Sequence, residues 1–144
     1  MKKILAVLVL SCLALACEDE YISNIPRMNP FAFYIDLAFE DRDLNGYAFK
    51  SFTKKRSEKD TGIGYGGLLV FNPGDNNLRA YDLACPVEGE LSTRLTVNDE
   101  YEVICPKCRA KFSLTTGTPQ SNSKYPLHVY NVRKINENNY VVHN

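Results

Sequence analysis

No stretch of this sequence repeats apolar residues every three to four positions for long enough to predict a helix, which leaves strands as the material of the fold. Short runs rich in aromatic and β-branched residues alternate instead with turn signals. "FAFYIDLAF" (31–39) and "YAFKSF" (47–52) flank Asn45 and Gly46 and predict a first hairpin. "GLLVF" (67–71) and "LRAYDL" (78–83) flank "NPGDNN", in which Pro73 fixes φ and Gly74 tolerates positive φ, and predict a second. "TRLTV" turns into "YEVIC" through Asn98, Asp99 and Glu100, and "PLHVYNVRKI" turns into "YVVH" across Asn136 to Asn139; "RAKFSL" reads as a further strand. The expectation is an all-β domain of meander-like antiparallel pairs.

The chain has 144 residues, 44% of them hydrophobic and 24% charged, which suits one globular domain. Nine tyrosines and seven phenylalanines raise the idea of a carbohydrate platform. Alternation within the runs, as at Phe31, Phe33 and Ile35, assigns most of them to a core instead. "GIGYGG" (62–67) has no strand before it and no helix after it, so it is read as a flexible lead-in to the next strand and not as a dinucleotide loop. Lys54, Lys55 and Lys59 alternate with Glu58 and Asp60 as a solvated loop does, and Asp41 and Asp43 sit in a polar, turn-like stretch read as solvated. His128 and His143 have no placed nucleophile or orienting acid, so no hydrolytic site is predicted, and the chain is read as more in keeping with a non-enzyme.

Residues 1–16 have a basic start at Lys2 and Lys3, then an apolar run too short to span a bilayer, then small residues before a cysteine. That is the pattern of a cleaved export signal. "LALAC" resembles the lipobox of bacterial lipoproteins, whose cysteine becomes the lipid-modified first residue, here Cys17; "VLSC" at Cys12 fits less well. Glu18, Asp19 and Glu20 resemble the surface-export signal of Bacteroidetes lipoproteins. The resemblance implies an outer-membrane protein, lipid-anchored and facing either the periplasm or the cell surface. Residues 17–30 are then a lipidated tether and 31–144 the domain. Removing the signal leaves fifteen basic residues against seventeen acidic, with no basic patch to favour nucleic acid.

Three cysteines remain for the domain: Cys85, Cys105 and Cys108. An odd number in an exported chain allows one internal disulfide with a free thiol, or a site that uses all three sulfurs. Cys-x-x-Cys can also serve a dithiol oxidoreductase, but here it follows a strand instead of opening a helix. Both Cys85 and Cys105 are followed by proline, and both come directly after a strand-like run.

Two strand tips, each led by Cys-Pro, resemble the Rieske iron–sulfur domain. "GYGGLLVF", "LRAYDLACP", "CPKCRAKFSLTTGTP" and "YPLHVYNV" extend the resemblance over residues 62–143. It implies an antiparallel β-sandwich with two cysteine-bearing loops, and in the family a [2Fe–2S] centre held by two cysteines and two histidines. Here Val87 and Cys108 stand where the histidines are expected, Arg109 and Ala110 where a Gly-Ser is, and Asn122 and Ser123 where the cover loop has Gly-Pro. The expectation is therefore a Rieske-like lipoprotein without the standard cluster, an accessory or binding module whose loops are stapled by a disulfide from Cys85 to Cys105 or Cys108. The alternatives are a zinc site, with Glu88, Glu90 or His128 as the fourth ligand, and an atypical [2Fe–2S] centre. The last would make the chain a one-electron carrier with a redox partner in the envelope.

Overall fold

The computed structural model describes residues 21–144; the signal 1–16, Cys17 and Glu18 to Glu20 lie outside the described residues. Ten strands make two antiparallel sheets, with one turn of 3-10 helix (Arg42–Leu44) and no α-helix among the described residues. The expected all-β architecture, with its cysteines on two loops, is the one observed.

The larger sheet has six strands: β1 (Ala32–Asp36), β2 (Tyr47–Phe52), β3 (Leu68–Pro73), β4 (Arg79–Asp82), β9 (Val129–Lys134) and β10 (Asn139–His143). Their order is β1-β10-β9-β4-β3-β2. The smaller sheet holds β5 (Thr96–Val97), β6 (Glu102–Ile104), β7 (Lys111–Ser113) and β8 (Pro119–Ser121) in sequence order. It is an insertion between β4 and β9, which pair with each other through Ala80 and Tyr130.

Three of the four expected hairpins form: β3 with β4, β5 with β6, and β9 with β10. The first does not. β1 pairs over its whole length with β10, from Ala32 opposite His143 to Asp36 opposite Asn139, while β2 pairs with β3. Asn45 and Gly46 turn the chain, but the short helix before them and the buried Leu44 carry it from one side of the sheet to the other. Local turn chemistry specifies a reversal; it does not specify which strand is met afterwards.

β3 is buried on both faces, and its alternation divides the interior in two. Leu68 and Val70 join Phe33, Ile35, Phe52, Tyr130 and Val142 in a cluster enclosed by the curled six-stranded sheet. Leu69 and Phe71 face the other way and pack with Tyr81, Leu83, Val103, Phe112 and Leu114 under the small sheet. The three cysteines belong to this second cluster.

Two stretches read as solvated are built into the fold. Asp41 is fully buried, bonded by Arg56 at 2.7 Å and Lys50 at 3.1 Å, while Asp43 does stand exposed. Asp60 is buried as well, accepting the backbone amides of Tyr34, Arg56 and Ser57. Each carboxylate satisfies backbone or cationic donors that would otherwise be stranded in the interior. Polar runs in a sequence do not reveal this use.

Candidate metal centre

Both cysteine loops start from strands anchored in the second cluster. The first begins where β4 ends, and its position depends on Asp82, a fully buried carboxylate. Asp82 accepts the amides of Tyr65 at 2.6 Å, Gly66 at 2.9 Å and Ala84 at 2.6 Å, and the Tyr130 hydroxyl at 2.6 Å. Burial, followed by the neighbouring Asp82 carboxylate, pushes the Tyr130 phenol well above the usual range, so Tyr130 stays a donor. A Cβ at Gly66 would lie 2.6 Å from the Ala84 nitrogen, so only glycine permits this approach. "GIGYGG" is thus a fixed wrapping around Asp82 and not a flexible lead-in. The sequence reading missed Asp82; its one signal was an acid at the end of an apolar strand beside a glycine-rich run.

The second loop joins β6 to β7. The two loops have one geometry. Residues 86–88 and 106–108 form turns directly after Cys85 and Cys105. The fifth residue of each donates its amide to the carbonyl of the first: Gly89 to Cys85 at 2.8 Å and Arg109 to Cys105 at 3.1 Å. Both fifth residues are left-handed, with φ of 64° at Gly89 and 62° at Arg109. In both, the amides of the third and fourth residues favour the charged form of the leading cysteine: Val87 and Glu88 for Cys85, Lys107 and Cys108 for Cys105. The Ala110 amide does the same for Cys108.

This places all three sulfurs within 4.8 Å of one another, Cys85 and Cys105 buried and Cys108 half-buried. The Cys85 and Cys108 Sγ atoms are 3.7 Å apart. Burial pushes the Cys85 thiol up to about 12, against the amides of Glu88 and Val87. Burial works against the Cys105 thiolate too, yet the amides of Cys108 and Lys107 and the two neighbouring thiols hold it below the ordinary range. Burial raises Cys108.

Around the thiols, Lys107 bridges to the first loop through Glu88 at 2.7 Å and Glu90 at 3.0 Å. Asn122, in the segment matched to the cover loop, has φ of 56° and donates to the Arg109 carbonyl at 3.3 Å. Residues 21–30 carry no strand or helix, and Asn24 among them lies against the first loop: its amide donates to the Pro86 carbonyl at 3.1 Å and its side chain to the Val87 carbonyl at 3.2 Å. Neither histidine joins the thiols. His128 shares a 3.1 Å hydrogen bond with Ser23 and packs edgewise on Tyr130, and His143 contacts Asn144.

A Rieske-type centre needs two imidazoles on one iron, and its two irons separate the ligand pairs. The donors here are three sulfurs in one tight group without histidine, so they do not fit it. They do fit one tetrahedral ion: metal–sulfur bonds of about 2.3 Å span sulfur–sulfur edges of roughly 3.8 Å. The Cys85–Cys108 separation already has that value within a tenth of an ångström.

No protein-family model matches the sequence, and no curated protein matches it. A solved structure similar to the chain is described as the small subunit of an NADH-dependent nitrite reductase from Mycobacterium tuberculosis. The two are 15% identical with a TM-score of 0.48, over 81% of this chain and 97% of the other.

Proposed function

We propose that this chain is a cell-envelope lipoprotein whose Rieske-like domain binds one thiolate-held metal ion, of the zinc class, between its two cysteine loops, in place of a [2Fe–2S] centre. The lipid on Cys17 tethers it to the outer membrane, and the domain acts as an accessory or binding module, not as an electron carrier. The observation that carries the metal is the convergence of three sulfurs within 4.8 Å, two of them buried. Amides that stabilise thiolate charge suit a metal site, because ligand sulfurs must be deprotonated.

Metal analysis and optical absorption of the purified full chain test this. One metal ion per chain and no visible sulfide-to-iron bands is the expected result. Two irons per chain with such bands would overturn it in favour of the one-electron carrier. A second reading, the disulfide staple, has the 3.7 Å approach of Cys85 and Cys108 behind it. It predicts metal-free protein with one free thiol among the three loop cysteines, Cys105.

A further inference from the structure

Three thiolates leave a tetrahedral ion one ligand short, and the repeated geometry of the two loops identifies the fourth. The inference rests on the single-metal reading above. Cys-Pro-Val-Glu-Gly (85–89) and Cys-Pro-Lys-Cys-Arg (105–109) share a turn over their second to fourth residues, an amide-to-carbonyl closure from fifth residue to first, and a left-handed fifth residue. Within the second loop the first and fourth residues, Cys105 and Cys108, both supply sulfur. The first loop supplies Cys85 from its first position, and its fourth position is Glu88. We infer that the Glu88 carboxylate is the fourth ligand, so that each loop contributes its first and fourth residues to one Cys3Glu site.

The other oxygen-bearing and nitrogen-bearing candidates are placed less well. Glu90 is the sixth residue of its loop, a position that supplies no sulfur in the second loop, and its side chain is 48% exposed where it meets Lys107 at 3.0 Å. His128 is committed to Ser23 and Tyr130. Glu88 is largely covered, its side chain 19% exposed, and its carboxylate now meets Lys107, the third residue of the opposite loop. That contact holds Glu88 against the second loop, with its carboxylate still outside the 4.8 Å sulfur group, so ligation requires a side-chain rotation. A carboxylate that gives one oxygen to the metal keeps the other for Lys107. Lys107 then offsets part of the negative charge that three thiolates and a carboxylate place around a divalent ion. Zinc accepts this donor set, with oxygen at about 2.0–2.2 Å and sulfur at about 2.3 Å.

Cobalt(II) titration of the reduced full chain is the test, because thiolate-to-cobalt charge-transfer absorption counts sulfur ligands. Glu88→Cys should raise that absorption by about one third, as expected when three thiolates become four, and leave no reactive thiol in the loops. Glu88→Gln should weaken cobalt and zinc binding at least about tenfold, since even partners that merely orient ligands are worth roughly 10- to 100-fold. Thermal unfolding of both variants without metal should match the unsubstituted chain, which separates lost ligation from lost fold. If Glu88→Gln binds as tightly as the unsubstituted chain, or Glu88→Cys keeps the three-thiolate absorption and a reactive fourth thiol, Glu88 is not the ligand. If the unsubstituted chain binds no cobalt, the metal site itself is overturned and the fourth ligand with it.

Discussion

The two sides of β3 carry two interiors held together in different ways. On one side, strands of four to six residues wrap an aromatic and aliphatic cluster, and a buried hydrogen-bond centre at Asp82 ties β4 to Tyr130 and the glycine-rich wrapping. On the other, strands of two and three residues rest on Leu69, Phe71, Tyr81 and Leu83, and the far end of the cluster is closed by three sulfurs. Ladders of two or three residues make few hydrogen bonds, so the small sheet depends on its packing and on whatever links its loops. The larger sheet needs no such link. Asp82 belongs to both regions, because it fixes the start of the first cysteine loop through the Ala84 amide.

That contrast can be broken most forcefully at Asp82. Asp82→Ala strands three amides and a phenol in the interior and should cost about 4 kcal/mol or more. Both sheets should melt together in a thermal or urea transition, since the small sheet packs on β3 and β4. Loss confined to the small sheet would contradict the shared role of Asp82.

Metal removal sharpens the comparison from the other side. Opening the link between loops separated by about twenty residues should release roughly 3 kcal/mol of local stability, by analogy with loop closure in the chain-entropy model. Hydrogen exchange with and without a chelator should show faster exchange at β5 to β8 and unchanged protection at β1, β9 and β10. Equal loss across both sheets would contradict the division.

The smallest effect is electrostatic and lies within the small sheet. Hydrogen bonding to Lys111, at 2.8 Å, and then to Asn98 holds the Glu102 carboxyl below the usual range, and Glu102 in turn raises Lys111. A carboxyl depressed on folding contributes stability present above its unfolded value, near 4.3, and lost as pH falls through the folded value. The lysine's contribution is present below its unfolded value and lost as pH rises through the folded one. Protection factors at β6 and β7, corrected for the intrinsic pH dependence of exchange, should therefore rise slightly between acidic and neutral pH, and Glu102→Gln should abolish that step.

Much of this division was legible in the amino-acid sequence. Turn residues at 72–77, 98–100 and 136–139 located three hairpins, and alternation at Phe31, Phe33 and Ile35 placed those side chains inside. The two Cys-Pro tips correctly pointed to loops that meet, because each follows a strand of the same packed cluster. The partner of β1 was not legible: pairing with β10 joins residues more than a hundred positions apart, and no local signal encodes it. Nor were Asp41, Asp60 and Asp82 recognisable as buried. A carboxylate's burial depends on donors brought by distant segments, here Arg56 and Lys50, the Tyr34 amide, and Tyr130 with the 65–66 amides.

Whether three sulfurs share one metal is decided by X-ray absorption at the metal edge of the purified full chain. A Cys3Glu site should give three sulfur neighbours and one oxygen neighbour, at about 2.3 and 2.0–2.2 Å respectively, and no metal–metal scattering. A metal–metal vector, a shell without sulfur, or protein that carries no metal and has Cys85 bonded to Cys108 would contradict it.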